Sequence, residues 1–175
     1  MGPLLHPKDM LRIEGVDIPN DLYQILDTPP LAGMRYPRWS PPWSRLKAAG
    51  FQYVVKLHEG YPKYDPAPLT LLHSVRLQDL IGGGSPQDPE REERLIRKTV
   101  NIILKKLALG EGVVVHCEGG RGRTGTVLGC VLRGLGFSSS EVISYLDSLH
   151  QARGKPAPAW PESRWQSKLV EHYCD

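Results

Sequence analysis

Apolar residues recur at helical spacing from Asp88 to Leu109, where Leu95, Ile96, Val100, Ile103, Leu104 and Leu107 share one face. This predicts an amphipathic helix that Gly110 ends. Val113-Val114-Val115 is a short β-branched run bounded by glycine, and predicts a central buried strand. Thr124 to Leu135 is almost entirely apolar and predicts a buried helix. Ser138-Ser139-Ser140-Glu141 reads as a capping box opening another, with Val142, Ile143, Tyr145, Leu146 and Leu149 turned inward. Pro161 to His172 predicts a last helix. Upstream, Tyr53 to Leu57 and Leu71 to Leu77 predict strands, and Pro41 to Gly50 predicts a helix with Ser40 as N-cap and Gly50 as its stop. Residues 1–45 are proline-rich and include Trp39 and Trp43. They predict an extended segment packed on the domain, with one short helix at Asp21 to Leu26. The alternation predicts an α/β fold, a single domain over 1–175 with a central, mostly parallel sheet flanked by helices.

Composition narrows the function only a little. The chain has 175 residues, 40% apolar and 23% charged, with a net charge of +3. That is too mild for a nucleic-acid binder and suits a small anionic ligand. Cys117, Cys130 and Cys174 are an odd, widely spaced set without a CxxC pair. A disulfide framework or zinc site is not expected, and a reducing cytoplasmic compartment is. The six histidines show no metal-binding spacing, so neither metal nor cofactor is implied. The N-terminus lacks the basic start and apolar run of a signal peptide, and Met1-Gly2-Pro3 lacks the myristoylation pattern. No segment has the apolar length of a membrane span. The sequence gives no reading of oligomeric state.

The chemistry sits after the valine strand. His116-Cys117-Glu118-Gly119-Gly120-Arg121-Gly122-Arg123-Thr124 joins that strand to an apolar helix. Glycines at 119, 120 and 122 let the backbone fold so that successive N–H groups point inward, and the helix N-terminus adds further donors. Such a nest accepts a phosphate dianion. Cys117 at its floor is the expected nucleophile, since an electropositive nest favours a thiolate. Arg123 can bind two phosphate oxygens through its planar fork. Thr124 can donate its hydroxyl to the sulfur, and His116 braces the loop. Glu118, Gly119, Gly120, Arg121 and Gly122 complete the phosphate-binding set. A nucleotide-binding Walker loop would require Gly-Lys-Ser/Thr, which is not present here. Cys130 and Cys174 read as inert core residues.

His116-Cys117-x-x-Gly120-x-x-Arg123-Thr124 matches the HCxxGxxR(S/T) motif of the protein tyrosine phosphatase superfamily. The whole loop through Gly125 resembles the small atypical dual-specificity phosphatases, of the VH1-like member Z or cyclin-dependent-kinase-associated type. The resemblance implies a cysteine-phosphatase fold and a phospho-cysteine intermediate. It also implies an upstream aspartic acid that protonates the leaving oxygen. Asp79, in Val75-Arg76-Leu77-Gln78-Asp79-Leu80-Ile81-Gly82-Gly83-Gly84-Ser85-Pro86, is the first choice. Asp88 is the second, although Asp88 followed by Pro89 also reads as a helix N-cap. Gln166 could position water as a glutamine does in some relatives, but an exposed polar helix position is the simpler reading.

The expected substrates are phosphotyrosine and phosphoserine or phosphothreonine of proteins. A phosphoinositide or an RNA 5′-phosphate is the alternative substrate. Phosphoinositide phosphatases usually carry lysine right after the cysteine, where this chain has Glu118. Glu118 and Arg121 read as a partly exposed pair that compensate each other. A non-catalytic phospho-binding module would typically have lost the cysteine or the arginine. A rhodanese-like sulfurtransferase does not usually carry the GxxR(S/T) ending.

Overall fold

Leu22–Leu26 (β1) and Leu31–Met34 (β2) pair antiparallel. The computed structural model in which they lie describes residues 3–6, 22–38, 43–59 and 63–175. The expected short helix at Asp21 to Leu26 is therefore a strand, and the coil after it holds a second one; Asp21 itself lies outside the described residues. A helix of so few residues has no stability of its own. As a strand, by contrast, the segment sends Tyr23, Ile25 and Leu26 into one core and Leu22 into another. Gly33 makes the pairing possible, because a Cβ there would collide with the ring of Tyr23 on the neighbouring strand. The proposed cap Ser40, with Trp39, Pro41 and Pro42, lies outside the described residues.

The chain continues through Trp43–Ala48 (α1), Phe51–Lys56 (β3), Thr70–Ser74 (β4) and Pro89–Ala108 (α2). Then come Gly112–His116 (β5), Gly122–Gly134 (α3), Ser139–Ala152 (α4) and Arg164–His172 (α5). The sheet order is β1-β2-β5-β3-β4. β5 lies parallel to both β2 and β3, and β4 parallel to β3, leaving β1 as the antiparallel edge. The expectation of an α/β, mostly parallel sheet flanked by helices holds. β5 is buried at all five positions, which explains a run of three valines where an amphipathic strand would alternate.

Two cores result. Val113 and Val115 face a large one completed by apolar residues of α2, α3, α4 and α5, while Val114 faces a smaller one with Trp43, Leu46, Phe51, Val54 and Leu69. α3 is buried from Gly122 through Leu132 because it packs on α2, α4 and α5. Near the N-terminus, Leu5 N–H donates to Ile25 O (3.0 Å) and Tyr145 OH to Leu5 O (2.8 Å), so this short piece lies on the fold.

Element ends shift for local reasons. β4 stops at Ser74, short of the expected Leu77, and beyond it Val75 and Leu77 keep only isolated backbone bonds to Lys56 O and Leu57 O. Asp88 caps α2 by accepting from Arg91 N–H (3.0 Å), with Pro89 in its first turn. α5 starts at Arg164 rather than Pro161, because Ser163 and Gln166 form a reciprocal capping box there. Among the described residues no helix is long and apolar enough to cross a membrane.

Candidate active site

The strand β5 delivers His116 and Cys117 to the C-terminal edge of the sheet, where α3 begins. Ligand sites of open parallel sheets lie at this edge. Cys117 is buried, and Gly120 N–H donates to its Sγ at 3.2 Å. Gly120 adopts φ +70°, and a Cβ there would meet Met34 C and O at 2.6 Å. Both the turn and the close approach to β2 therefore require glycine.

Donors within and around the loop hold its carbonyls. Cys117 O lies 3.1 Å from His116 Nδ1, and Glu118 O accepts from Tyr36 N–H at 2.9 Å. Gly119 O accepts from Arg153 Nη2 (3.4 Å), and Gly120 O from both Tyr23 OH (2.6 Å) and Arg153 Nη1 (3.1 Å). Arg121 O accepts from Gly125 N–H of α3 (2.8 Å). With the carbonyls held by these donors, it is the intervening N–H groups, Gly120's on the thiol among them, that an anion can meet. The Arg153 guanidinium also lies 4.6 Å from the centroid of the Tyr23 ring. None of Tyr23, Tyr36 and Arg153 carried a signal in the sequence, since each lies far from the loop along the chain.

His116 is fully buried between Tyr64 OH (2.5 Å from Nε2) and Cys117 O. Burial pushes its pKa down to about 4, so the ring is neutral at neutral pH. Its Nδ1–H then donates to Cys117 O and its Nε2 accepts from Tyr64. His150, beneath Arg153, is likewise pushed well below the usual histidine range, mainly by burial. Above about pH 6.5 the ring of His116 is neutral in both states, and below it the unfolded chain takes up a proton that the folded one refuses. Stability should therefore fall as pH drops from about 6.5 to about 4, by about 3 kcal/mol from His116 alone. Urea midpoints at pH 7.5 and 5 check this, and His116→Asn should reduce the difference.

Arg123 is 7% exposed and reaches over the loop, with Nη2 3.2 Å from Asp79 Oδ2 and Nη1 3.5 Å from Leu77 O. The other Asp79 oxygen accepts from Ile81 N–H at 3.0 Å. Asp79, Cys117, Glu118, Gly119, Arg121, Gly122 and Arg123 line one pocket of about 160 Å³. Asp88 does not reach it. It caps α2 and lines a neighbouring cavity of about 420 Å³ that Asp79 also borders.

Four expectations need correction. The Thr124 hydroxyl is buried with no hydrogen-bond partner, so it does not donate to Cys117 Sγ. Glu118 and Arg121 do not compensate each other: Glu118 pairs with Arg38 and with His58 (3.0 Å), while Arg121 pairs with Glu162 (3.0 Å). Gln166 is not exposed. It is buried at the start of α5, where its Oε1 accepts from Glu162 N–H (3.0 Å) and Ser163 N–H (3.2 Å). Cys174 is exposed rather than a core residue, with its Sγ 3.5 Å from Arg133 O. Cys130 is buried on α3, and burial pushes its thiol up, which leaves it protonated and inert.

Comparison with known proteins places this arrangement in a family. The family model described as "Swiss Army Knife protein, DSP-PTPase phosphatase domain" matches residues 22–158. The "Putative tyrosine phosphatase 067L" of Invertebrate iridescent virus 3 is 29% identical over 144 residues, 79% of this chain; the chain spans 59% of that relative's length. The crystal structure of the human tyrosine phosphatase-like serine/threonine/tyrosine-interacting protein superposes with a TM-score of 0.64 at 14% identity, covering 88% of this chain and 95% of that one. The core catalytic domain of the PP-IP phosphatase SIW14 from S. cerevisiae gives a TM-score of 0.57 at 20% identity, over 83% and 81% of the two chains. At such identities the two structures show the shared fold. The family match runs from β1 past the end of α4, through Cys117 and Arg123, and by it this chain belongs to the DSP-PTPase phosphatase domain family.

Proposed function

We propose that residues 1–175 act as one cysteine-dependent phosphatase domain, hydrolysing phosphotyrosine and phosphoserine or phosphothreonine of proteins through a phospho-cysteine intermediate. The observation that carries this is one pocket holding a buried thiol, a buried guanidinium and a carboxyl group contributed from a different loop. The incoming phosphate takes the place of Asp79 on the Arg123 fork and accepts from the loop N–H groups. Cys117 Sγ attacks phosphorus as the ester P–O bond breaks, and Asp79 gives its proton to the departing oxygen. The same carboxylate then takes a proton from water as that water attacks phosphorus and the S–P bond breaks, which regenerates the thiolate. Such a nucleophile works in a reducing compartment, which we take to be the cytoplasm.

Two features support phosphoprotein over phosphoinositide or RNA 5′-phosphate. Arg121 is held by Glu162, and Arg38 by Glu118. Among the described residues, these two basic side chains are thus already paired with carboxylates rather than open to a second phosphate. A panel of phosphotyrosine and phosphothreonine peptides, a phosphoinositide and an RNA 5′-triphosphate, at several pH values and with vanadate as inhibitor, tests the proposal. The phosphopeptides should show the highest kcat/KM. A higher value for the lipid or the RNA would replace the protein substrate, and tight phosphopeptide binding without turnover would make the domain a binding module.

A further inference from the structure

Ile81 lines the pocket and is 72% exposed. Among the described residues it and Leu109 are the large hydrophobic side chains left most open to water, and Leu109 merely caps α2. The other described side chains that line this pocket are acidic, basic or the thiol itself, and among them Ile81 supplies the large apolar surface.

Its position is held. Its N–H donates to Asp79 Oδ1 at 3.0 Å, which ties it to the carboxyl group proposed as the acid. Leu80 before it is buried. Gly82, Gly83 and Gly84 after it take φ of +92°, +94° and +88°. That loop is closed by Gly83 N–H on Leu80 O (2.9 Å) and anchored by Ser163 Oγ donating to Gly84 O. A chain fixed at both ends thus holds up an isoleucine that is largely open to water, and an apolar group that covered it would gain from the burial.

We infer that Ile81 is a specificity residue that packs against the aryl ring of phosphotyrosine, favouring it over phosphothreonine and phosphoserine. A phosphate seated on the loop projects its ester oxygen toward Asp79, so the group bonded to that oxygen must pass Ile81. A phenyl ring is long and apolar enough to be covered there; a phosphothreonine or phosphoserine side chain places its polar backbone there instead. The polyol ring of an inositol phosphate gains nothing from the contact.

The inference rests on the phosphatase reading, and its test separates the two. Wild type, Ile81→Ser and Ile81→Phe are assayed on one peptide carrying either phosphotyrosine or phosphothreonine, with vanadate inhibition as a check on the loop. Ile81→Ser should lower the phosphotyrosine-to-phosphothreonine ratio of kcat/KM about tenfold, mainly through KM, and Ile81→Phe should restore it. An unchanged ratio overturns the inference, as does a proportional loss on both substrates, which would make Ile81 only a support for Asp79. If wild type turns over neither peptide, the phosphatase reading itself falls and takes this one with it.

Discussion

Replacing Cys117 by serine should lower turnover of a phosphotyrosine peptide by about 10⁶-fold while the protein stays folded and still binds the peptide. The two side chains differ by one atom. The serine oxygen can still accept from Gly120 N–H, so the nest survives, as do the Arg123 fork and the outward carbonyl bonds to Arg153 and Tyr23. What disappears is the sulfur nucleophile, which attacks phosphorus far more readily than an alcohol oxygen in the same place. Phosphate release and equilibrium binding should therefore separate cleanly in this variant. Acid-quenched wild type given labelled substrate should carry phosphate on the protein, and the variant should not. Residual turnover within about tenfold of wild type would remove the covalent route, since a catalytic alcohol alone could not sustain it.

Asp79→Ala should slow turnover by about 10² to 10⁴-fold, the range expected for a positioned acid–base group, and more for alkyl than for aryl phosphates. An alkyl leaving oxygen needs the proton most. The same carboxyl group lies on Arg123 in the structure, 3.2 Å from Nη2, so its removal also frees the fork. Inorganic phosphate or vanadate should bind Asp79→Ala at least as tightly as wild type, even though catalysis is lost. Asp88→Ala provides the contrast. Its carboxylate accepts from Arg91 N–H at the start of α2, so it should cost about 1 kcal/mol of stability and little rate. The opposite pattern, slow turnover with Asp88→Ala and near-normal turnover with Asp79→Ala, would move the acid to Asp88.

The helices were legible wherever periodicity was long. α2 shows its face through Ile96, Val100, Ile103 and Leu107, and its cap through Asp88, all within one continuous stretch. β5 could be read from three valines between Gly112 and His116. β1 and β2 could not, because they are only five and four residues long and flank a proline-rich turn. Their strand character comes from pairing with each other and with β5, which local propensity does not contain.

The pocket divides in the same way as the fold. Cys117, Gly120 and Arg123 belong to one short strand-to-helix loop, so glycine geometry and side-chain chemistry fall within a few residues and the sequence alone determined that part. Everything that sets the loop's surroundings was decided by tertiary structure. Sheet order brings Tyr23 of β1 to Gly120 O, and the end of α4 brings Arg153 to the same oxygen. The turn after β4 carries Asp79, not Asp88, to Arg123, and Glu162 rather than Glu118 becomes the partner of Arg121. Each of these contacts joins residues tens of positions apart. They exist only once the chain has closed those loops, and no spacing along it records which partner each will meet.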